Sequence, residues 1–149
     1  MARDYPPRPL VGIGAVVFRG EQVLLIRRAK PPRQGEWSLP GGLQKLGETV
    51  FAGACREVME ETGIVIRPVG IVDVVDLIER DEATGAIRYH YTLIDVAALW
   101  QAGEAVAASD AADAAWVGAD DLEARVAWSE TVRIIDEARL LCATGAGAG

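Results

Sequence analysis

The sequence predicts an α/β fold, a mixed sheet flanked by helices in two packed layers or three. Two pairs of apolar, β-branched stretches, each joined by a short turn, read as β-hairpins. A proline-free segment with helical spacing lies between the pairs, and a second such segment closes the chain. Half of the 149 residues are hydrophobic, enough for the core of a single domain over 1–149.

Residues 1–8 read as an extended, proline-rich arm. VGIGAVVFRG and QVLLIRRA are strands around the turn Arg19-Gly20-Glu21-Gln22. The loop KPPRQG follows, and then a short strand at Trp37-Ser38-Leu39. Pro40-Gly41-Gly42 reads as a turn where backbone can approach a ligand closely. The helix TVFAGACREVMEET ends at Gly63, a residue that takes the left-handed cap conformation cheaply. IVIRPVGIVDVVDLIERD and AIRYHYTLIDVAAL form the second hairpin around DEATG. Gln101 to Asp113 reads as a loop and Ala115-Trp116-Val117 as a short strand, with Asp120 and Asp121 placed to cap a turn. Ser129 is a suitable N-cap for the final helix TVRIIDEARLLCA, and 144–149 reads as a flexible tail.

Charge and composition exclude several classes. A net charge of −7 argues against binding a nucleic-acid backbone. No apolar run is long enough to span a membrane, and the polar MARDYPPRP start does not read as a secretory leader. The two cysteines, Cys55 and Cys142, read as reduced thiols, because Cys55 falls on the apolar side of its helix. A soluble, cytoplasmic protein is expected, with a homodimer left open.

The chemistry concentrates in the middle helix. At 100° per residue Phe51, Ala52, Cys55, Val58 and Met59 share one broad face, and Glu57, Glu60 and Glu61 share the other, where Gly53 adds no bulk. Carboxylates three and four residues apart have Cβ atoms roughly 5–6 Å apart and repel by about 0.2–0.5 kcal/mol per pair. On the helix alone a solvated face explains such a cluster better than a cation site does. A hard cation such as Mg²⁺ would convert the repulsion into binding.

The surrounding residues extend the pattern. Gly42, Glu48, Arg56, Glu57, Val58, Glu60, Glu61, Gly63 and Ile64 match every fixed position of the Nudix box, which here spans Gly42 to Ile64. The lead-in WSLPGG and the order of elements over roughly residues 8–142 also resemble the Nudix hydrolases. The resemblance implies an α/β/α sandwich around a mixed sheet. It implies metal-dependent hydrolysis of a nucleoside diphosphate linked to another group, giving a nucleoside monophosphate and the phosphorylated second group.

It also implies roles. Glu57 and Glu61 resemble the main ligands of Mg²⁺ (or Mn²⁺), and Glu60 a further ligand or a base. Glu48 and Arg56 resemble the pair that braces these carboxylates. A backbone carbonyl of Gly41 or Gly42 would complete the coordination. The metal would screen the phosphates and acidify a bound water. The base varies within the family and can lie outside the box, so Glu104, Glu60 and Glu61 are all candidates.

Residues outside the box have weaker readings. Arg27, Arg28, Lys30 and Arg33 form a basic patch that would contact phosphates or be solvated. Trp37 would stack on a base or join the core. Tyr89 and Tyr91 share a strand face, and the lone His90 reads as structural. Trp116 and Trp128 read as packing residues. The downstream proline frequent in ADP-ribose members is absent from Leu77 to Asp81, yet the lead-in still resembles bacterial members of that kind. ADP-ribose or a nucleotide sugar is favoured, with a canonical or oxidised nucleoside triphosphate as the alternative. A non-catalytic nucleotide-sensing module is the alternative of another class. It is disfavoured because every box carboxylate is present.

Overall fold

Branched apolar residues with a period of two on both sides make strands that must be covered on both faces, and the chain covers them with one helix layer per face. The computed structural model describes residues 3–148 of the chain, and the side chains of residues 3–143. It contains β1 (Leu10–Arg19), β2 (Gln22–Arg28), β3 (Trp37–Ser38), β4 (Gly41–Leu43), α1 (Val50–Thr62), β5 (Val65–Arg80), β6 (Ile87–Ala102), β7 (Ala111–Val117), α2 (Leu122–Arg125) and α3 (Ser129–Ala148).

The sheet runs β3-β2-β1-β6-β5, with β4 on β1 and β7 on β2. β1 lies parallel to β6 from Leu10↔Tyr91 to Phe18↔Leu99, whereas β5–β6, β1–β2 and β1–β4 are antiparallel, so the sheet is mixed as predicted. Alternation along β1 divides its side chains. Ile13, Ala15 and Val17 pack under Ala54 and Val58 of α1. Val16 and Phe18 pack with Leu25, Ala97 and the α3 residues Ile134, Ile135 and Ala138. Each of the valine, leucine, isoleucine and phenylalanine side chains taken from water contributes about 1.5–3 kcal/mol, before the entropy of ordering it. Cys55 and Cys142 are free thiols. Among the described residues no helix is long and apolar enough to cross a membrane.

Several expectations are corrected. Gly41 and Gly42 belong to a strand, not a turn, because they pair with Gly14 and Ile13 of β1. The loop after β6 is shorter than Gln101 to Asp113, since β6 runs to Ala102 and β7 starts at Ala111. Ser129 is the first helical residue of α3. That helix continues to Ala148 through most of the expected tail, and Gly149 lies outside the described residues. Asp120 and Asp121 sit in a 3-10 turn without a side-chain cap bond. Of the expected arm, residues 1–2 lie outside the described residues. Tyr5 ties the rest down: its N–H donates to Arg88 O at 2.7 Å and its hydroxyl to Asp81 at 2.6 Å.

The largest correction concerns α1. Phe51 and Met59 are 41% and 46% exposed, so the apolar face is buried only in part, at Val58 and, half-buried, at Cys55. The buried residues are Gly53, Ala54, Val58, Glu61 and Thr62. The helix is rolled so that part of its acidic edge meets the sheet. Gly53 permits this approach: a Cβ there would lie 2.5 Å from Ile13 Cδ1 and 2.9 Å from Glu48 Oε1. Glycine to alanine inside a helix ordinarily stabilises by about 1 kcal/mol. Here Gly53→Ala is expected to destabilise, read as a lower denaturant midpoint at unchanged slope.

Candidate active site

Helix α1 is set in place at both ends. Thr49 caps its start, Oγ1 accepting from Ala52 N at 3.1 Å, and Gly63 closes it at φ 73°, its N–H donating to Met59 O. The last carbonyls of a helix lack intrahelical partners. Two of them are taken by the loop after β6, where Val106 N donates to Thr62 O and Ala108 N to Glu61 O, both at 3.0 Å. The same loop continues to Asp110, so pairing off the helix end also brings that carboxylate towards Glu61.

One guanidinium organises the acidic edge. Arg56 Nε donates to Glu48 Oε2 at 2.6 Å and Nη2 to Glu48 Oε1 at 2.9 Å, a two-point fork. Its Nη1 donates to Glu57 Oε1 at 2.7 Å and to Glu60 Oε2 at 3.3 Å, and Nη2 also reaches Leu43 O at 3.1 Å. Arg56 therefore ties the loop before α1, the helix and β4 together. The fork and the Lys45 N–H pull the Glu48 carboxyl down to about 2. Glu48, chiefly, and Glu57 hold the Arg56 pKa well above its ordinary value.

Glu61 has the opposite environment. It is 3% exposed, and its Oε1 accepts from Gly41 N at 2.8 Å. Burial pushes its carboxyl up to about 8; Gly41's N–H opposes the rise, and the charges of Glu57 and Asp110 add to it. Glu57 stands against Gly42, where a Cβ would fall 2.5 Å from its carboxylate. The glycine pair thus makes room for the acidic edge, and Gly41 meets it through its N–H.

Among the described residues no three carboxylates converge into a ready-made metal cluster. Arg56 holds Glu57 and Glu60, while Glu61 is bonded to Gly41. The donor chemistry nevertheless suits a hard divalent cation: three carboxylates on one helix edge, one of them buried and destabilised in its charged form.

Beside these acids opens a cavity on the α3 side of the sheet. Glu61, Gly41 and Gly42 form one wall, and Arg28, Lys30 and Arg33 stand at it as well. Three of the four predicted basic residues, Arg28, Lys30 and Arg33, are therefore brought to the site. Arg27 is not: it is exposed on β2 and does not line the cavity. Trp37 does not line it either. It packs against the core with Arg125 4.9 Å above its ring, because its strand pairs with β2 at Arg27. Glu104 does not line the cavity. Its side chain is 82% exposed and lies 3.7 Å from Arg19, at the far end of β1.

The carboxylate that this loop brings to the cavity is Asp110, held by Lys30 Nζ at 3.0 Å. Nothing local in the sequence distinguishes it from Glu104. Asp95 is a second residue absent from the sequence-based candidates. An acid inside the apolar run TLIDVAAL, in phase with Tyr91 and Leu93, was a readable signal. Trp128, expected only to pack, also borders the cavity beneath Arg33 at 4.9 Å.

Comparison with known proteins agrees with this geometry. The NUDIX domain family profile matches residues 8–137. A "MutT-like protein" from Streptomyces ambofaciens is 34% identical over 88% of this chain and 78% of its own length. An "ADP-ribose pyrophosphatase" from Methanocaldococcus jannaschii is 31% identical over 76% of this chain and 64% of its own. Among solved structures, a MutT NUDIX hydrolase from Burkholderia pseudomallei superposes with a TM-score of 0.68 at 31% identity, covering 87% of this chain and 98% of that one.

The Glu48–Arg56 fork has a stability consequence with a definite sign. A carboxyl held at about 2 in the folded state, against 4.5 for the ordinary value, stabilises the fold above pH 4.5, and that stabilisation is lost as pH falls towards 2. Allowing for partial solvent screening, about 1–2 kcal/mol is at stake. Glu48→Gln is expected to lower stability by that amount at pH 7 and to flatten the loss between pH 5 and 2, measured by urea titration across pH.

Proposed function

Because the chain belongs to the NUDIX domain family of pyrophosphohydrolases, we propose that it cleaves the pyrophosphate bond of a nucleoside diphosphate linked to a second group, with ADP-ribose or a related nucleotide sugar as substrate. The observation that carries this reading is that Glu61, the buried member of the acidic edge of α1, and the cations Arg28, Lys30 and Arg33 line one cavity. A diphosphate bridge needs both cationic contacts and a metal-holding edge, with room beside them for the group it carries. The Methanocaldococcus relative named as an ADP-ribose pyrophosphatase supports the choice of substrate.

Glu57 and Glu61 would hold Mg²⁺ or Mn²⁺, with Glu60 as a further ligand and a backbone carbonyl of Gly41 or Gly42 completing the set. When bound, the ion neutralises phosphate charge and acidifies water. Arg56 keeps Glu57 and Glu60 oriented, and Arg28 and Lys30 draw the phosphates to the mouth. Water attacks one phosphorus and the bridging P–O bond breaks. The water's proton passes to a carboxylate, Asp110 or a glutamate of α1, and the bridging oxygen leaves with the second phosphate.

Hydrolysis of ADP-ribose, nucleotide sugars, dinucleoside polyphosphates and (d)NTPs with Mg²⁺ and Mn²⁺ tests the reading. Glu57→Gln and Glu61→Gln, assayed separately, are expected to lose orders of magnitude in turnover with folding intact. Asp110→Asn is expected to lose about 10²-fold or more, and Glu104→Gln to stay near wild type. No turnover on any substrate would favour the sensing module, and near-normal turnover of both glutamate variants would sink the site.

A further inference from the structure

The cavity is also lined by a carboxyl that the hydrolysis does not use. Asp95 of β6 is 7% exposed and faces the cavity from its floor. Among the described residues no donor is hydrogen-bonded to it. Arg133, the cation whose charge it feels, is engaged with Asp73, Glu130 and Glu137. The aliphatic side chains of Leu39, Val75, Leu93 and Ile134 line the same cavity, together with the polar residues Ser38, Tyr91, Glu130 and Thr131. The strand beside it is relieved of side-chain bulk, since a Cβ on Gly14 would collide with Asp95 Oδ1.

A buried polar group without a partner is destabilising unless something supplies the missing bond. A phosphate cannot, because it repels a carboxylate. A ribose would leave the aliphatic surface of Leu39, Val75, Leu93 and Ile134 without an apolar partner. A flat heteroaromatic ring with a polar edge meets both conditions, its faces against the aliphatic walls and its edge on the acid.

We propose that Asp95 is the specificity-determining residue of the cavity, and that its carboxyl hydrogen-bonds the edge of an adenine ring where a ring nitrogen lies beside an exocyclic amine. This rests on the nucleotide reading above for the placement of the phosphates, and deepens it by naming the base. The carboxyl is suited to such an edge in its protonated form, which offers a donor next to an acceptor. Burial pushes Asp95 up to about 7, with the charge of Asp73 adding to the rise and Arg133 opposing it, so that form is well populated near neutrality.

The test is calorimetric binding of three nucleoside monophosphates that the proposed reaction does not cleave: AMP, its analogue lacking the 6-amino group, and GMP. Wild type is expected to bind AMP at least about 10-fold more tightly than either of the others, the span of one lost hydrogen bond to a buried group. Asp95→Leu is expected to erase the preference. Asp95→Asn, whose amide also presents a donor and an acceptor, is expected to keep it. If Asp95→Leu does not fold, Gly14→Ala replaces it, since its methyl must push the carboxyl aside. Equal binding of the three ligands by wild type, tighter GMP binding, or a preference that survives in the disrupted variant would each overturn the proposal. A protein that discriminates AMP yet hydrolyses nothing would leave Asp95 its role and remove the hydrolytic reading. Turnover of ADP-ribose without AMP discrimination would do the reverse.

Discussion

The guanidinium of Arg56 is the group on which the candidate site depends. It reaches Glu48 in the loop before α1, Glu57 and Glu60 on the helix, and Leu43 O in β4. Three segments that meet only in the fold are thereby fixed to one planar cation. Without it the carboxylates at 57 and 60 would face each other, and Glu48, with no opposite charge. Such an arrangement cannot be replaced by lysine, which is a single point charge and lacks the fork.

The sheet supplies the rest of the frame. Because β1 runs parallel to β6, the small residues Gly12 and Gly14 of β1 stand beside Leu93 and Asp95 of β6. That juxtaposition opens space on the α3 face near the end of the sheet where β4 joins β1. The acidic edge of α1 reaches the same end from the other face, through the glycine pair of β4. The cavity is thus bounded by residues from both layers. Its lining includes the cations Arg28, Lys30 and Arg33, the buried Glu61, and Asp95, to which no donor is hydrogen-bonded among the described residues.

Most elements could be read in the sequence because each carries its own local signal. The strands carry branched residues at period two, Gly63 stops α1, and the turn DEATG joins β5 to β6. The roll of α1 could not be read that way. Phe51 and Met59 are apolar, and a helical wheel buries them, yet both face outward. What decides is contact: Glu61 gains the Gly41 N–H, Gly53 admits Ile13, and Arg56 is drawn inward by Glu48. Close approach of backbone to backbone and the fixed directions of these bonds outweigh exposure of two flexible apolar side chains.

The sequence by itself determined the family, the order of elements, the acidic edge with its brace, and so the kind of chemistry. These follow from spacing along one continuous segment, where helix geometry maps residue number directly onto position. The tertiary structure alone decided which loop acid reaches the cavity, which of the basic residues border it, and that Asp95 lies on its floor. Asp110 and Glu104 look alike in sequence, but two hydrogen bonds to the end of α1 aim the chain so that only Asp110 arrives. Contacts between residues far apart in the chain depend on strand register and direction, which local sequence does not encode.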